Sequence, residues 1–584
     1  MNPKIAAGRR KPPAGAGLLL LLKPYRGLIA LLVVLTITGN GLNLAVPRII
    51  SHAIDAYTQQ TFVLSTSVLQ FFVVAFLVFA LTYLQSIVQT YASERVARDL
   101  RTRVAAKISG QSYAFVERIT PAKLLTNLTS DVDAVKLFVS QAIASIIASV
   151  FLIVGAGVLL LMINWRLGLS VLSIVPFIAI TFQMVLRKVR PMFQKAQEAI
   201  DWLNRVINES ILGSALIRLL NTQQLEYAKF LAANTEAKDI GLRTLRLFAG
   251  MIPVITIAAN LATVTILWLG GHFVIAGSMS LGDFTAFNSY LFILIFPIIL
   301  IGFMSNVIAQ ASASFMRLGM ILNAPEEHKS GGLVRDLRGD IALQDVSLAF
   351  GEKMALQNVS LAAKAGTRTA IIGPTAAGKT QLLYLLIGLL QPTSGSVTYD
   401  GDPIDAYDKE ALHQQVGLVF QDSVMFNLSL RENIAFSKTI HERDLEKSIA
   451  TAELTDFVAA LPEGLETVVS ERGTSLSGGQ KQRIMLARAL ALNPRVLLLD
   501  DFTARVDPAT EQKILNNVRE NYPGITLISV TQKIASVMDY DQIILLMEGE
   551  VLATGTHQEL MEASPEYVQL FHSQRSTSHY EIHA

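Results

Sequence analysis

Residues 368–380 read Arg-Thr-Ala-Ile-Ile-Gly-Pro-Thr-Ala-Ala-Gly-Lys-Thr, and Gln-Leu-Leu follows at 381–383. A short apolar strand runs into Gly-x-x-x-x-Gly-Lys-Thr, and a helix is predicted to start directly after it. Strand, glycine-bounded loop and helix, in that order, are the setting in which this motif holds phosphates. Gly373 and Gly378 let backbone N–H groups of the loop, through Thr375, Ala376 and Ala377, close around the β- and γ-phosphates of a nucleotide. Lys379 reaches the same oxygens, and Thr380 can hold Mg²⁺. Downstream, Val496-Leu-Leu-Leu-Asp500 reads as a buried parallel strand ending in the Mg²⁺-side carboxylate of a phosphate-loop ATPase. Between them lies Leu476-Ser-Gly-Gly-Gln480, with a helix predicted over about 481–492. Ser477, Gly478 and Gly479 just before a helix make a phosphate-binding end.

The N-terminal half is of another kind. Only 16% of the 584 residues are charged, against about 25% in an average soluble chain. Six runs carry no Asp, Glu, Lys or Arg: 27–47, 56–93, 137–165, 167–186, 247–282 and 284–316. A crossing needs about 20 apolar residues, so each run holds one membrane helix. Arg9, Arg10, Lys11, Lys23 and Arg26 precede the first run, Arg95 to Lys107 follow the second, and Arg187 to Lys195 follow the fourth. The opposite side carries little beyond Arg48, Asp55, Arg166 and Asp283. By the positive-inside rule the N-terminus and the C-terminal domain face the cytoplasm. The first run is too long for a signal-peptide core and no small-residue cleavage site is evident.

The two long connections, 92–136 and 187–246, both face inward and read mostly as helix. They would carry the spans about 30 Å or more beyond the membrane. Polar breaks at Tyr113–Ala122 and Ile211–Ala215 are predicted to turn the chain back. The expected division is a flexible terminus at 1–20, a membrane domain at 21–322, a linker at 323–340, an ATPase domain at 341–573 and a flexible tail at 574–584. The expected fold class is thus a six-helix transmembrane domain with long cytoplasmic helical extensions, fused to an α/β phosphate-loop nucleotide-binding domain. With no cysteine, disulfide scaffolds, thiolate metal sites and cysteine nucleophiles are excluded. A net charge of +2 without a dense basic-aromatic stripe gives no reason to expect nucleic acid.

The order of these motifs resembles a half-transporter of the ABC family with the exporter-type fold, ABCB-like in arrangement, over about residues 20–572. The resemblance implies ATP and Mg²⁺, held by Thr380, Gln421 and Asp500. It implies that Phe350 stacks on adenine, that Glu471-Arg-Gly473 precedes the signature Leu476–Gln480, and that Asp507 faces across a dimer. Leu124–Asp133 and Gln310–Arg317 resemble membrane-domain segments of the family. The implied assembly is a dimer in the bacterial plasma (inner) membrane, in which Ser477, Gly478, Gly479 and Gln480 of one subunit close over the ATP held by the other. The two breaks in the extensions would then couple the domains.

Two residues depart from the family pattern. Asp501 stands where a glutamate polarises the attacking water, and Gln532 stands where a switch histidine is usual. Phe502 and the Ala376-Ala377 pair are further departures. An Asp carboxylate ends about 1–1.5 Å short of a Glu, and a miss of 1 Å can cost around 100-fold in rate. Glutamine can hydrogen-bond a phosphate but has no titratable proton to offer. With the signature intact, the chain resembles the degenerate-site subunit of heterodimeric bacterial multidrug exporters, its partner supplying the Glu and the His. A homodimer with two slow sites is the alternative.

For cargo, the spans offer neutral polar residues only: Asn40, Asn43, Gln85, Gln89, Asn260, Asn288, Asn306 and Gln310. Single residues of this kind serve helix–helix hydrogen bonding more often than ligands. The absence of an intramembrane ionisable relay argues against proton-coupled transport. The expected cargo is a small amphiphilic or hydrophobic molecule. An importer on the same fold, with siderophore-like cargo, and a non-transporting regulatory ATPase stay open.

Overall fold

The structure is a computed structural model that describes residues 22–325, 331–437, 440–470 and 473–582. It divides into two compact units, one of residues up to 110 with 119–325, the other of 111–118 with 326–584. The expected terminus at 1–20 and Glu471-Arg472 lie outside the described residues.

Six helices among the described residues are long and apolar enough to span a membrane, Lys23–Thr58, Leu64–Ser109, Pro121–Ile163, Trp165–Leu212, Gln223–Ile275 and Leu281–Leu322. The longest α-helix in each stretch is, in order, α1 (Arg26–Thr58), α2 (Leu64–Ser109), α3 (Ile143–Ile163), α4 (Ile174–Leu212), α5 (Gln223–Thr265) and α6 (Leu281–Leu322). Their lengths, 33 to 46 residues for all but α3, exceed a bilayer crossing as the long helical connections predicted. The turn between the third and fourth stretches is set by Asn164, which caps the helix Trp165–Leu172 that precedes α4; its Oδ1 accepts from the N–H groups of Arg166 and Leu167 at 3.1 and 3.2 Å. Ser280 caps α6 by accepting from Asp283 N–H at 2.9 Å. At the same end Asp55 of α1 accepts from Gly282 N–H at 2.8 Å, and Arg48 pairs with Asp283 at 2.6 Å. The scarce charges of that side thus tie α1 to α6.

The two segments singled out by resemblance meet in this unit. Asp131 is 2% exposed, and Arg317 of α6 donates to both its carboxylate oxygens, from Nε at 3.2 and 3.0 Å and again from Nη2. Asn127 donates to the same carboxylate at 2.7 Å. Of the polar span residues, Asn40 donates to Thr36 O of its own helix at 2.7 Å and Gln89 donates to Ser140 O.

The first reversal falls as predicted. A turn leads into a helix over Tyr113–Ile119, and Thr120, at φ 74°, precedes the helix-starting Pro121. The second lies later than the predicted Ile211–Ala215. α4 ends at Leu212, a short helix covers Ser214–Leu219, and the chain turns at Asn221, φ 53°. Asn adopts left-handed backbone more readily than most residues, so it and not the preceding Gly213 makes the sharp turn.

The second unit holds an antiparallel sheet and a mostly parallel one. The first comprises β1 (Ile341–Phe350), β2 (Lys353–Ala363), β4 (Ser394–Tyr399) and β5 (Asp402–Pro403), in the order β2-β1-β4-β5. The second comprises β3 (Arg368–Ile372), β6 (Val416–Val419), β7 (Val496–Asp500), β8 (Thr526–Thr531), β9 (Gln542–Met547) and β10 (Glu550–Gly555). Its order is β10-β9-β3-β8-β7-β6, all parallel except the β9–β10 hairpin. Every residue of β7 and β8 is buried, as in parallel strands covered on both faces. β7 is apolar up to Asp500, whereas β8 interleaves Thr526, Ser529 and Thr531 with its apolar residues. Around this sheet pack α7 (Lys379–Leu386), α8 (Gly478–Leu490), α9 (Pro508–Asn521) and α10 (Pro565–Ile582).

Three boundaries shift. Residues 331–340, expected as linker, are fixed to this unit: Gly331 N–H donates to Asp405 O at 2.9 Å, and Asp400 accepts from the N–H groups of Arg338, Gly339 and Asp340. The tail expected from 574 is helical, since α10 continues to Ile582. The signature helix begins at Gly478 and not 481, because Ser477 and Gln480 form a capping box. Ser477 Oγ accepts from Gln480 N–H at 3.2 Å, and Gln480 Oε1 accepts from Ser477 N–H at 2.8 Å.

Candidate nucleotide site

The sheet order sets β3, β8 and β7 side by side with their carboxyl ends level: Ile372 pairs with Thr531, and Asp500 with Val530. The loop after β3, Gln532 after β8 and Asp500-Asp501 at the end of β7 therefore meet at one edge. That is where an open parallel sheet presents its ligand crevice. A cavity of 280 Å³ lies there, walled by Thr375, Ala376, Ala377, Gly378, Lys379, Thr380, Gln421, Asp500, Asp501 and Gln532.

The loop's two glycines are demanded by close approach. A Cβ on Gly373 would lie 2.0 Å from Leu546 O, and one on Gly378, at φ 98°, 2.8 Å from Ala355 O. Ala376 holds φ 66°, a left-handed conformation, with a side chain that resists it. Lys379 is 8% exposed and donates to the carbonyls of Gly373 and Pro374 at 2.9 and 2.7 Å. Burial pushes its ammonium pKa down, while Asp501 and Asp500 pull it back up. Thr380 Oγ1 donates to Asp500 Oδ1 at 3.2 Å, and Asp500 Oδ2 is buried with no hydrogen-bond partner. Burial pushes the Asp500 carboxyl up to about 6, opposed by the Thr380 hydroxyl. An orphaned carboxylate oxygen beside a hydroxyl and the Gln421 side chain is an oxygen donor set of the kind Mg²⁺ takes. Those three residues would hold the ion, which would supply charge neutralisation for bound phosphates.

Asp501 adopts φ 45°. Its N–H donates to Val530 O at 2.9 Å and its carbonyl accepts from Ala504 N–H at 3.1 Å. The first of these bonds ties the backbone at 501 to β8. Gln532 Nε2 reaches Thr375 Oγ1 at 3.4 Å. Phe502 is 1% exposed and fills the core beneath the site.

Other predicted residues lie outside this cavity. Phe350 ends β1 with its ring 47% exposed. Ser477, Gly478, Gly479 and Gln480 open α8, and Asp507 caps α9 by accepting from Thr510 N–H at 2.9 Å. A Cβ on Gly479 would lie 2.9 Å from Arg505 O, so the signature glycine packs against the turn leading to Asp507. No motif pointed to two further residues. Tyr384 of α7 packs edge-on against both Tyr113 and Phe420, ring centroids 5.5 and 6.0 Å apart, tying residue 113 to the helix after the phosphate loop and to the residue before Gln421. Gln574 of α10 bonds the backbone around Gln532. Neither has a spacing signal, because each pairing joins residues far apart in the chain.

Fold and site together define an ATP-driven membrane transporter subunit, with membrane domain and nucleotide-binding motor in one chain. The ABC transporter transmembrane region matches residues 29–298, and the ABC transporter domain matches residues 356–504. The chain is 32% identical to the uncharacterized ABC transporter ATP-binding protein YfiB of Bacillus subtilis (strain 168), covering 95% of this chain and 97% of that one. It is 29% identical to the multidrug resistance-like ATP-binding protein MdlA of Escherichia coli (strain K12), covering 94% of each. Its fold is similar to that of a bacterial Atm1-family ABC exporter solved with ATP bound, with a TM-score of 0.79 at 23% identity over 94% of this chain and 98% of that one. The chain belongs to the ABC transporter family. It is an integral membrane protein of the exporter-type fold, with a cytoplasmic ATP-binding domain that drives transport.

Proposed function

We propose that the chain is one half of a dimeric exporter for small amphiphilic or hydrophobic molecules, and that the ATP site on its own phosphate loop binds nucleotide but hydrolyses it slowly. The observation that carries this reading is the cavity wall itself. Asp501 and Gln532 line that cavity, where the family resemblance implies a water-polarising glutamate and a phosphate-sensing histidine; the one is a methylene shorter than Glu, the other lacks a titratable proton. The neutral spans, and the multidrug designation of MdlA, support the cargo class. ATP, Mg²⁺ and the bilayer are the other partners this role requires.

Two pairings satisfy the reading. Two copies of this chain would form an exporter with two slow sites. An unlike partner carrying Glu and His would leave one slow and one fast site. The intact Leu476–Gln480, which would complete the partner's site, favours that arrangement. Lys379→Ala and Ser477→Ala in the purified transporter separate them. In an unlike pair Lys379→Ala spares most ATP hydrolysis while Ser477→Ala removes most of it. In a pair of identical chains both abolish it. Hydrolysis lost with Lys379→Ala but kept with Ser477→Ala would contradict both pairings. Cargo direction in sealed vesicles tests export against import.

A further inference from the structure

The segment after β8 carries Gln532 toward the phosphate loop, and it is held from behind by α10. Within α10, Tyr567 is fully buried and its hydroxyl meets His557 Nδ1 at 2.7 Å. Leu570 and Phe571 pack on the core beneath the parallel sheet. Residues 567, 571 and 574 follow at helical i, i+4, i+7 spacing and so share this inward face. One turn beyond Phe571, the Gln574 amide makes two opposed hydrogen bonds. Its Nε2 donates to Gln532 O at 2.6 Å, and its Oε1 accepts from Ile534 N–H at 3.0 Å. Ser536, at the end of the same segment, hydrogen-bonds the buried Glu511 of α9.

We propose that Gln574 is a positioning residue for the ATP site. By clamping the backbone at 532 and 534 it fixes the direction in which the Gln532 side chain extends toward Thr375 and the γ-phosphate position. A primary amide suits the role because it alone supplies a donor and an acceptor side by side. The inference rests on the reading of Gln532 as the residue that senses the γ-phosphate.

The test uses the full transporter in detergent, with azido-ATP photolabelling of this chain competed by ATP or by ADP. Gln574→Met keeps the side chain's length but can neither donate nor accept. We expect it to lower ATP affinity about fivefold and leave ADP affinity unchanged. Gln532→Ala should do the same, and the double variant should be no worse than either single one, since both act through one contact. Equal losses for ATP and ADP in Gln574→Met would show a merely structural role and overturn the inference, as would unchanged affinities or an additive double variant. If Gln532→Ala itself keeps the preference for ATP, the reading of Gln532 fails and the inference with it. A loss in Gln532→Ala without one in Gln574→Met removes the inference alone. Should Gln574→Met fail to fold, Gln574→Glu carries the same test, because it still accepts from Ile534 but cannot donate to Gln532.

Discussion

Ala376 sits at φ 66° in the phosphate loop, where an L-residue pays for its Cβ. The left-handed conformation costs roughly 1–2 kcal/mol, and glycine would relieve it at some cost in unfolded-chain entropy. Ala376→Gly should therefore stabilise the ATPase domain by about 0.5–1 kcal/mol, and a thermal melt should rise by about 2 °C. A lower melting temperature would mean that the methyl makes contacts worth more than the strain. At this scale the sequence was most informative where a residue type has one use. Gly373, Gly378, Lys379 and Asp500 stand where the motif put them, and the chemistry of each is local. Ala376 looked like a mild departure, and its strain is visible only in the backbone angle. Gln574 could not be found at all, because its two partners are contributed by a strand end 40 residues away.

Among the elements, the six spans were legible because a bilayer excludes charge over a length that only a helix can fill. The long extensions followed from the lack of breakers. What the pattern could not reveal was how the extensions are held. Asp131 and Arg317, 186 positions apart, form a fork-to-carboxylate pair, with the acid's side chain 3% exposed and the base's 44%. Removing the base strands a buried carboxylate, which costs about 2 kcal/mol once the exposure of the arginine is allowed for. Arg317→Ala should lower the melting temperature of the solubilised protein. Arg317→Lys should recover little of the loss, because lysine lacks the planar fork. Asp131→Asn combined with Arg317→Ala should recover most of it. Additive losses in the double variant would show that the pair is not the interaction that matters. The start of α8 at Gly478 was legible in principle, since Ser-x-x-Gln is a capping signature.

On the scale of the whole molecule, the low charge content is an average over two unlike units, and the ATP site lies in the second of them. A chain that binds ATP on an intact loop but presents a short carboxylate and a glutamine should hold its nucleotide unhydrolysed. On the proposed reading slow hydrolysis goes with this chain's site whichever partner completes it, so the decisive measurement must report on this chain alone. The transporter can be loaded with azido-ATP labelled at the γ-phosphate, photolinked at intervals, and this chain's band followed for loss of label. The native chain should lose label slowly, and Asp501→Glu combined with Gln532→His should lose it at least about tenfold faster. Rapid loss from the native chain, or no acceleration in the double substitution, would contradict the proposed reading.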